Sequence, residues 1–277
     1  MDSVSKTILF IVLIFLSELI AQDDLLNQYN LAKKYFDEEK YFDAITEFKR
    51  LQCFDYEKLY VYQSNFLIAM SYKAGGKFDD AIKYFVLAEI NAQNQNEYYS
   101  AKIMQARTNI LRRANNQARN ILDQLETDKR FQSEKDKLKY WRGWNYIFED
   151  KWDVAADTFK DIDSSLYTFC SSVNKDKYSE NFAKYSSYLI PGLGQFYTGE
   201  YLSGLLSLSW NILTGFFTVK AFAEDRIFDG LIIGNLLWLR FYTGNLQNAE
   251  KFAVDKNLQI TNTALQYLQK KFIGEKP

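Results

Sequence analysis

Small, aromatic and apolar residues recur along the first half of the chain with a period of 37 residues. The first small position is occupied by Ala32, Ala69, Ala106 and Gly143. Twelve residues later stand Ala44, Ala81, Ala118 and Ala155, followed four residues on by Phe48, Phe85, Leu122 and Phe159. Agreement at this many positions over four copies indicates an internal repeat.

Each copy has the hydrophobic spacing of two helices. A small residue followed three positions later by an aromatic residue, as at Ala32 and Tyr35, places both on one face of a first helix. The second Ala and the residue four positions after it share one face of a second helix. Turn sequences such as GGKFDD, with Gly75 and Gly76, separate the two helices. The pattern predicts an all-α fold that begins with about four helix pairs.

This spacing resembles the tetratricopeptide repeat over residues 24–164, although the family's usual period is about 34 residues. The resemblance implies a helical solenoid whose first helices line a groove for a protein or peptide partner. Carried over residue by residue, the groove consists of Tyr29, Lys33, Phe36, Phe66, Met70, Lys73, Arg107, Tyr140 and Trp144, with Ile103, Ile110 and Ile147 beside them. Aromatic residues with interspersed cations are typical of peptide-binding grooves. Alternatively, the aromatic residues pack between repeats and the cations are merely solvated.

A glycine-rich segment, YLIPGLGQFYTGE at residues 188–200, precedes two apolar stretches. Its G-x-G lacks both the third glycine and the βαβ surroundings of a dinucleotide-binding fingerprint, so no nucleotide site is predicted. Residues 201–223 carry Lys220 as their one charge and are long enough to cross a bilayer. Residues 227–246 form a second apolar stretch, which Asp229 and Arg240 interrupt. The two stretches favour a membrane hairpin over a soluble helical pair.

This segment resembles bacterial membrane-hairpin domains that carry a P-G-L-G-Q-x-Y-x-G motif before two apolar helices. The matching residues are Pro191, Gly192, Leu193, Gly194, Gln195, Tyr197 and Gly199, and the closing part of the pattern matches Arg240, Tyr242, Gly244 and Asn245. The resemblance implies membrane association through lipid contacts of the hairpin. Beyond it, apolar residues at helical spacing predict a C-terminal amphipathic helix.

The N-terminal residues have the features of a signal peptide. Lys6 precedes an apolar run at residues 7–21, and Ala21 provides a small residue at the cleavage point. The alternative is an uncleaved helix that serves as an anchor. The predicted organisation is a signal peptide (1–21), a repeat region (24–164), a connecting helix (165–187), the motif with its hairpin (188–246) and a C-terminal helix (247–277).

The amino-acid composition limits which partners, metals and catalytic groups can be expected. The formal net charge of −1 gives no basic excess for nucleic acid, so none is expected as a partner. The chain has no histidine, which removes the commonest general base and the commonest metal ligand. Cys53 and Cys170 are too few for a zinc site, and we expect two separate buried thiols rather than a disulfide. We therefore expect no metal and no cofactor.

These features together predict a non-enzymatic, membrane-tethered tetratricopeptide-repeat scaffold of the bacterial cell envelope. Its repeats would lie in the periplasm and its hairpin in the inner membrane, and it would bind a protein or peptide partner. The alternative is a membrane-embedded accessory of envelope assembly or transport, in which the hairpin is the active part and Asp229 and Arg240 form an intramembrane pair. An enzyme is disfavoured because no Ser, Cys or Lys nucleophile has an evident base partner.

Overall fold

A computed structural model describes residues 24–277, and within this range the chain is helical and contains no β-strand. The predicted all-α class is confirmed. The chain divides into two compact units: the first ends at Tyr167 and the second runs from Thr168 to Lys276. The predicted signal peptide lies outside the described residues.

The helices of the first unit follow one another along the chain and are joined by short turns. They are α1 (residues 24–37), α2 (Tyr41–Phe54), α3 (Val61–Ala74), α4 (Phe78–Ile90), α5 (Gln95–Leu111), α6 (Asn115–Thr127), a 3₁₀ helix (Lys129–Glu134), α7 (Lys135–Phe148) and α8 (Trp152–Phe159). From α2 to α8, each α-helix packs against the next, and α5 also contacts both α3 and α7. Helix α9 (Ser164–Asp176) contains the division between the units.

The turn inside each helix pair has the same backbone geometry in all four copies. Its left-handed residue is Glu39, Gly76, Arg113 and Asp150 in turn, with φ between 58° and 71°. In each turn the following N–H donates to the carbonyl five residues earlier, as from Lys40 to Tyr35 at 2.9 Å. This bond is the Schellman closure of a helix C-terminus. The 37-residue period is therefore a period of backbone geometry as well as of sequence.

The small and aromatic positions of the repeat lie in the interior of the first unit. The eleven residues that share this property are Ala32, Ala69, Ala106, Ala44, Ala81, Ala118, Ala155, Phe48, Phe85, Leu122 and Phe159, each 0% exposed. At the twelfth position, a Cβ added to Gly143 would lie 2.4 Å from Cζ of Phe159. The small residues thus allow paired helices to approach until an aromatic ring fills the space between them.

The second unit continues after α9 with helices of very different length. They are α10 (Glu180–Leu189), α11 (Leu193–Tyr197), α12 (Tyr201–Ala223), α13 (Ile227–Ile232), a π-helical segment (Ile233–Trp238) and α14 (Leu239–Lys271). Helix α14 passes residue 246 without interruption. The predicted C-terminal helix is therefore the continuation of the second apolar stretch rather than a separate element.

Helix α12 runs antiparallel to the helical stretch that follows it. Gly230 faces Phe222 near the connecting turn, and Trp210 stacks on Phe241 farther along, with ring centroids 5.3 Å apart. Among the residues that the structure describes, α12 is the one helix long and apolar enough to cross a membrane.

Candidate functional site

The aromatic residues of the predicted groove contact neighbouring helices. Tyr29, Phe66 and Tyr140 occupy equivalent positions in three copies, and each meets the buried aromatic residue of its paired helix: Phe48, Phe85 and Phe159, with centroids 5.5–6.0 Å apart. Phe36 contacts Tyr41 in the same manner. Trp144 is 2% exposed, Met70 is half-buried, and Ile103, Ile110 and Ile147 are buried. The apolar members of the predicted groove therefore contribute mainly to packing.

The three predicted cations lie in different environments. Lys33 is exposed and forms an ion pair with Asp37, with Nζ 2.6 Å from the carboxylate. Lys73, on α3, is half-buried, and its Nζ has no hydrogen bond or ion pair within residues 24–277. Arg107, on α5, places its guanidinium carbon 4.1 Å from the ring centroid of Trp141. Because α3 and α5 are in contact, Lys73 and Arg107 lie on adjacent helices.

The electrostatics of Lys73 are those of a cation that lacks an anion. Burial, followed by the charge of Arg107, lowers the pKa of Lys73 from its usual 10.5 to about 8. Desolvation and a neighbouring like charge both disfavour the protonated amine. A bound carboxylate or phosphate would relieve both effects, with Lys73 supplying a point charge and Arg107 a planar donor set held against Trp141. Together, Lys73, Arg107 and Trp141 form a candidate anion site.

We expect Lys73→Met to stabilise the first unit by roughly 3 kcal/mol at neutral pH, since a pKa shift from 10.5 to about 8 carries a cost of that order. The folded state holds fewer protons than the unfolded state between pH 8 and 10.5, so wild-type stability rises with pH across this window. The advantage of the variant should therefore shrink over the same window. Denaturant unfolding of both proteins at pH 7 and pH 10 measures this change.

Lys33→Met is the matched control, because Lys33 is exposed and paired with Asp37. Its effect should stay within about 0.5 kcal/mol at either pH. If Lys73→Met and Lys33→Met have equal effects, the burial assigned to Lys73 is wrong.

The glycine motif of the second unit brings four helical segments together. Gly192 has a φ of 93°, and a Cβ there would lie 2.3 Å from the carbonyl oxygen of Gly204 in α12. A Cβ on Gly194, in α11, would lie 2.1 Å from the carbonyl oxygen of Ala183 in α10 and 2.7 Å from Cβ of Ala249 in α14. Both glycines are therefore required by close contacts between backbones.

A buried hydrogen-bond network centres on Asn245. Its Oδ1 accepts from the Gly192 N–H at 2.8 Å, from Gln195 Nε2 at 3.0 Å and from the Ser207 hydroxyl at 2.8 Å. Its Nδ2 donates to the carbonyl of Ser187 at 3.2 Å, and Gln195 also donates to the Asn245 carbonyl. Gln195 is fully buried and Asn245 is 2% exposed. One amide side chain thus joins α10, α11, α12 and α14.

The remaining motif residues lie around this network. The hydroxyl of Tyr197 accepts from the Ser179 N–H at 3.0 Å, and Pro191 is half-buried in the turn after α10. Gly199 has a φ of 80°, and a Cβ there would meet no atom within 4 Å. Arg240 is exposed and stands apart from the network. Asp229 contacts Arg226 at 3.5 Å and forms no ion pair with Arg240.

Arg240 lines a cavity of about 500 Å³ between α12 and α14. Asn211 lies in its wall, is 4% exposed and donates through Nδ2 to the carbonyl of Ser207, whereas its Oδ1 has no hydrogen-bond donor. Ser207, Asn211, Thr214 and Thr218 follow one another at steps of four, three and four, so a polar stripe on one face of α12 was visible in the sequence. Neither that stripe nor Trp141 was among the residues predicted from the sequence.

Cysteine chemistry and metal binding add no further site within residues 24–277. Neither Cys53 nor Cys170 forms a disulfide; Cys170 is buried as expected, but Cys53 is exposed on α2. No group of three His, Cys, Asp or Glu side chains within this range is arranged to hold a metal ion.

No family model matches the chain, and no curated protein or solved structure has significant similarity to it. The two family resemblances therefore rest on the repeat and motif residues themselves.

Proposed function

We propose that the chain is a non-enzymatic, membrane-tethered scaffold of the bacterial cell envelope, with a tetratricopeptide-type first unit that binds a protein or peptide partner. The repeated helix pairs, with their common turn and the contacts of α5 with both α3 and α7, support a solenoid. A periplasmic location for the repeats follows from the proposed signal peptide.

The observation that carries the membrane tether is the polarity of α12, which is the inverse of that of a water-soluble helix. Its buried side includes Asn211, Thr214 and Thr218, at 4–5% exposure, together with the small residues Gly204 and Ala221. Its exposed side consists of large apolar residues: Leu202, Leu205, Leu206, Ile212, Leu213, Phe216, Phe217, Val219 and Phe222, each at least 43% exposed. Water disfavours this arrangement and a bilayer core favours it.

The threonine hydroxyls of α12 are satisfied as lipid requires. Thr214 and Thr218 donate to carbonyls four residues earlier in the same helix, at 2.7 Å and 2.8 Å. Small residues on the facing stretch, such as Gly230 and Gly234, allow close helix packing where lipid supplies no hydrophobic drive. We propose that α12 and the apolar stretch from Ile227 to Leu246 form the hairpin.

Two lysine substitutions at exposed positions test the membrane tether in the full chain. Ile212 is 62% exposed at the middle of α12, and Ile90 is 71% exposed at the end of α4. Ile212→Lys should cost roughly 2–3 kcal/mol in lipid and reduce the amount of chain retained in membranes after alkaline extraction, whereas Ile90→Lys should change nothing. The tether would be refuted if alkaline extraction released the wild-type chain and if the Ile212→Lys variant were folded and more soluble.

We propose that the partner presents an acidic side chain or a C-terminal carboxylate to Lys73 and Arg107. Because the carboxylate favours protonated Lys73, affinity should be constant below pH 8 and fall as pH rises above it. Extended peptides with free carboxylates, compared with the same peptides bearing amides, provide the probe in fluorescence anisotropy.

Lys73→Met should abolish the preference for carboxylate over amide, and Lys33→Met should leave it intact. Each charge-assisted hydrogen bond contributes about 1.5–3 kcal/mol, so the preference should be roughly tenfold or more. Equal binding of acidic and amidated peptides by the wild-type chain would exclude this surface as an anion site.

A further inference from the structure

We propose that the cavity between α12 and α14 binds one phospholipid through its headgroup, with the phosphate on Arg240 and a hydroxyl or ammonium donor directed to Asn211. This assignment rests on the proposed membrane location of α12. It identifies which lipid chemistry the second unit recognises and where.

Arg240 is a cation without a counterion. No carboxylate within the described residues forms an ion pair with it. Glu200 also lines the cavity, but its carboxylate lies 3.1 Å from Nζ of Lys256 and is already neutralised. Asp229, near the start of the second apolar stretch, forms an ion pair with Arg226. An unpaired arginine at membrane depth favours binding of an anion from outside the chain.

The depth of Arg240 distinguishes it from an arginine at the membrane surface. Its neighbour Phe241 stacks on Trp210, nine residues after the start of α12, which corresponds to about 13 Å along the helix. The cavity extends from Glu200, at the start of α12, down to Asn211 and Arg240. It therefore provides a polar path by which a headgroup can reach the guanidinium.

The floor and wall of the cavity suit a lipid rather than a free ion. A Cβ on Gly244 would meet no atom within 4 Å, so the floor of the cavity is open there. Leu202, Leu206 and Trp210 line the same cavity at successive steps of four residues, and each is 46–73% exposed. This apolar ridge leads away from Arg240 along α12 and offers a surface for an acyl chain.

Asn211 determines which headgroups are favoured. Its Nδ2 donates to the Ser207 carbonyl at 2.8 Å. Because a carbonyl can only accept, this bond fixes the orientation of the amide and leaves Oδ1 without a partner. A buried acceptor that lacks a donor is costly, and a ligand hydroxyl or ammonium would satisfy it. Phosphatidylethanolamine and phosphatidylglycerol carry both a phosphate and an N–H or O–H donor, whereas the quaternary ammonium of phosphatidylcholine has no such donor.

Native mass spectrometry of the detergent-solubilised full chain with each of the three lipids tests the assignment. We expect one bound phosphatidylethanolamine or phosphatidylglycerol, and less phosphatidylcholine. Arg240→Gln should reduce lipid retention at least about tenfold, and Arg240→Lys should retain part of it, because lysine keeps the charge but loses the planar fork. Arg226→Gln, at a paired arginine at the other end of the hairpin, should have no effect. Asn211→Leu should remove the discrimination against phosphatidylcholine.

Three outcomes would overturn the assignment. Equal lipid retention by the wild-type chain and Arg240→Gln would place the lipid elsewhere, and competition by soluble glycerol phosphate as strong as that by lipid would make this a site for small anions. If the solubilised chain instead retained a membrane protein, and Arg240→Gln released that protein, the cavity would be a protein interface. In all three cases retention of the chain in alkaline-extracted membranes would still support the tether, whereas its release would refute the tether and this inference together.

Discussion

Gly194→Ala is expected to unfold the second unit or to reduce its free energy of unfolding by about 3–5 kcal/mol, an effect at the upper end for a single methyl group. The added Cβ would lie 2.1 Å from the carbonyl oxygen of Ala183 and 2.7 Å from Cβ of Ala249. Ala183 belongs to α10 and Ala249 to α14, so the methyl group can be accommodated only if these helices separate from α11. Scanning calorimetry of the full chain in detergent measures the loss.

Gly244→Ala is the matched control for this substitution. Gly244 is also helical, but a Cβ there would meet no atom within 4 Å. Because alanine favours helices over glycine, this variant should be neutral or more stable by about 0.5–1 kcal/mol. An unchanged transition in Gly194→Ala would mean that the contact between α10 and α11 is looser than described.

Asn245→Leu is expected to cost at least about 3 kcal/mol, because it leaves several buried polar groups without partners at once. Leucine has the same number and branching of side-chain heavy atoms, but it can neither accept from Gly192, Gln195 and Ser207 nor donate to Ser187. The most specific observable is the amide of Gly192, whose proton is held by Asn245 Oδ1 at 2.8 Å. Hydrogen exchange at this amide should accelerate even where the helices persist.

Asn248→Leu provides the comparison, because Asn248 lies on the next turn of the same helix, is exposed and forms no side-chain hydrogen bond within the described range. Its stability should change by less than about 0.5 kcal/mol. Protection of the Gly192 amide that survives Asn245→Leu would show that another acceptor holds it.

The helical fold could be predicted because its cause is local and repeated. Each copy places a small residue, Ala or Gly, at the same two positions, because only a small side chain fits there in every copy. Turn sequences were recognisable in three copies, whereas the third copy has Asn109 where the others have tyrosine. Its turn forms because Schellman closure depends on backbone bonds, with Arg113 in the left-handed region.

The partner surfaces were less accessible to sequence analysis. A residue three or four positions from a small residue can line a groove or fill the space beside the paired helix, and periodicity is the same in both cases. Tyr29 and Phe66, which the spacing placed in the groove, contact the paired helix instead. The network around Asn245 was hidden for a different reason: Gln195 and Asn245 are 50 residues apart, and no local spacing relates them.

Helix α14 also has a mechanical consequence. Its 33 residues correspond to about 50 Å, of which roughly 37 Å follow the apolar stretch that ends at Leu246. A rotation of about 10° displaces the far end of this roughly 37 Å portion sideways by about 6 Å. In the proposed membrane location, a tilt of the hairpin that accommodates local thinning of the bilayer would displace the distal end of α14 laterally, as a lever does.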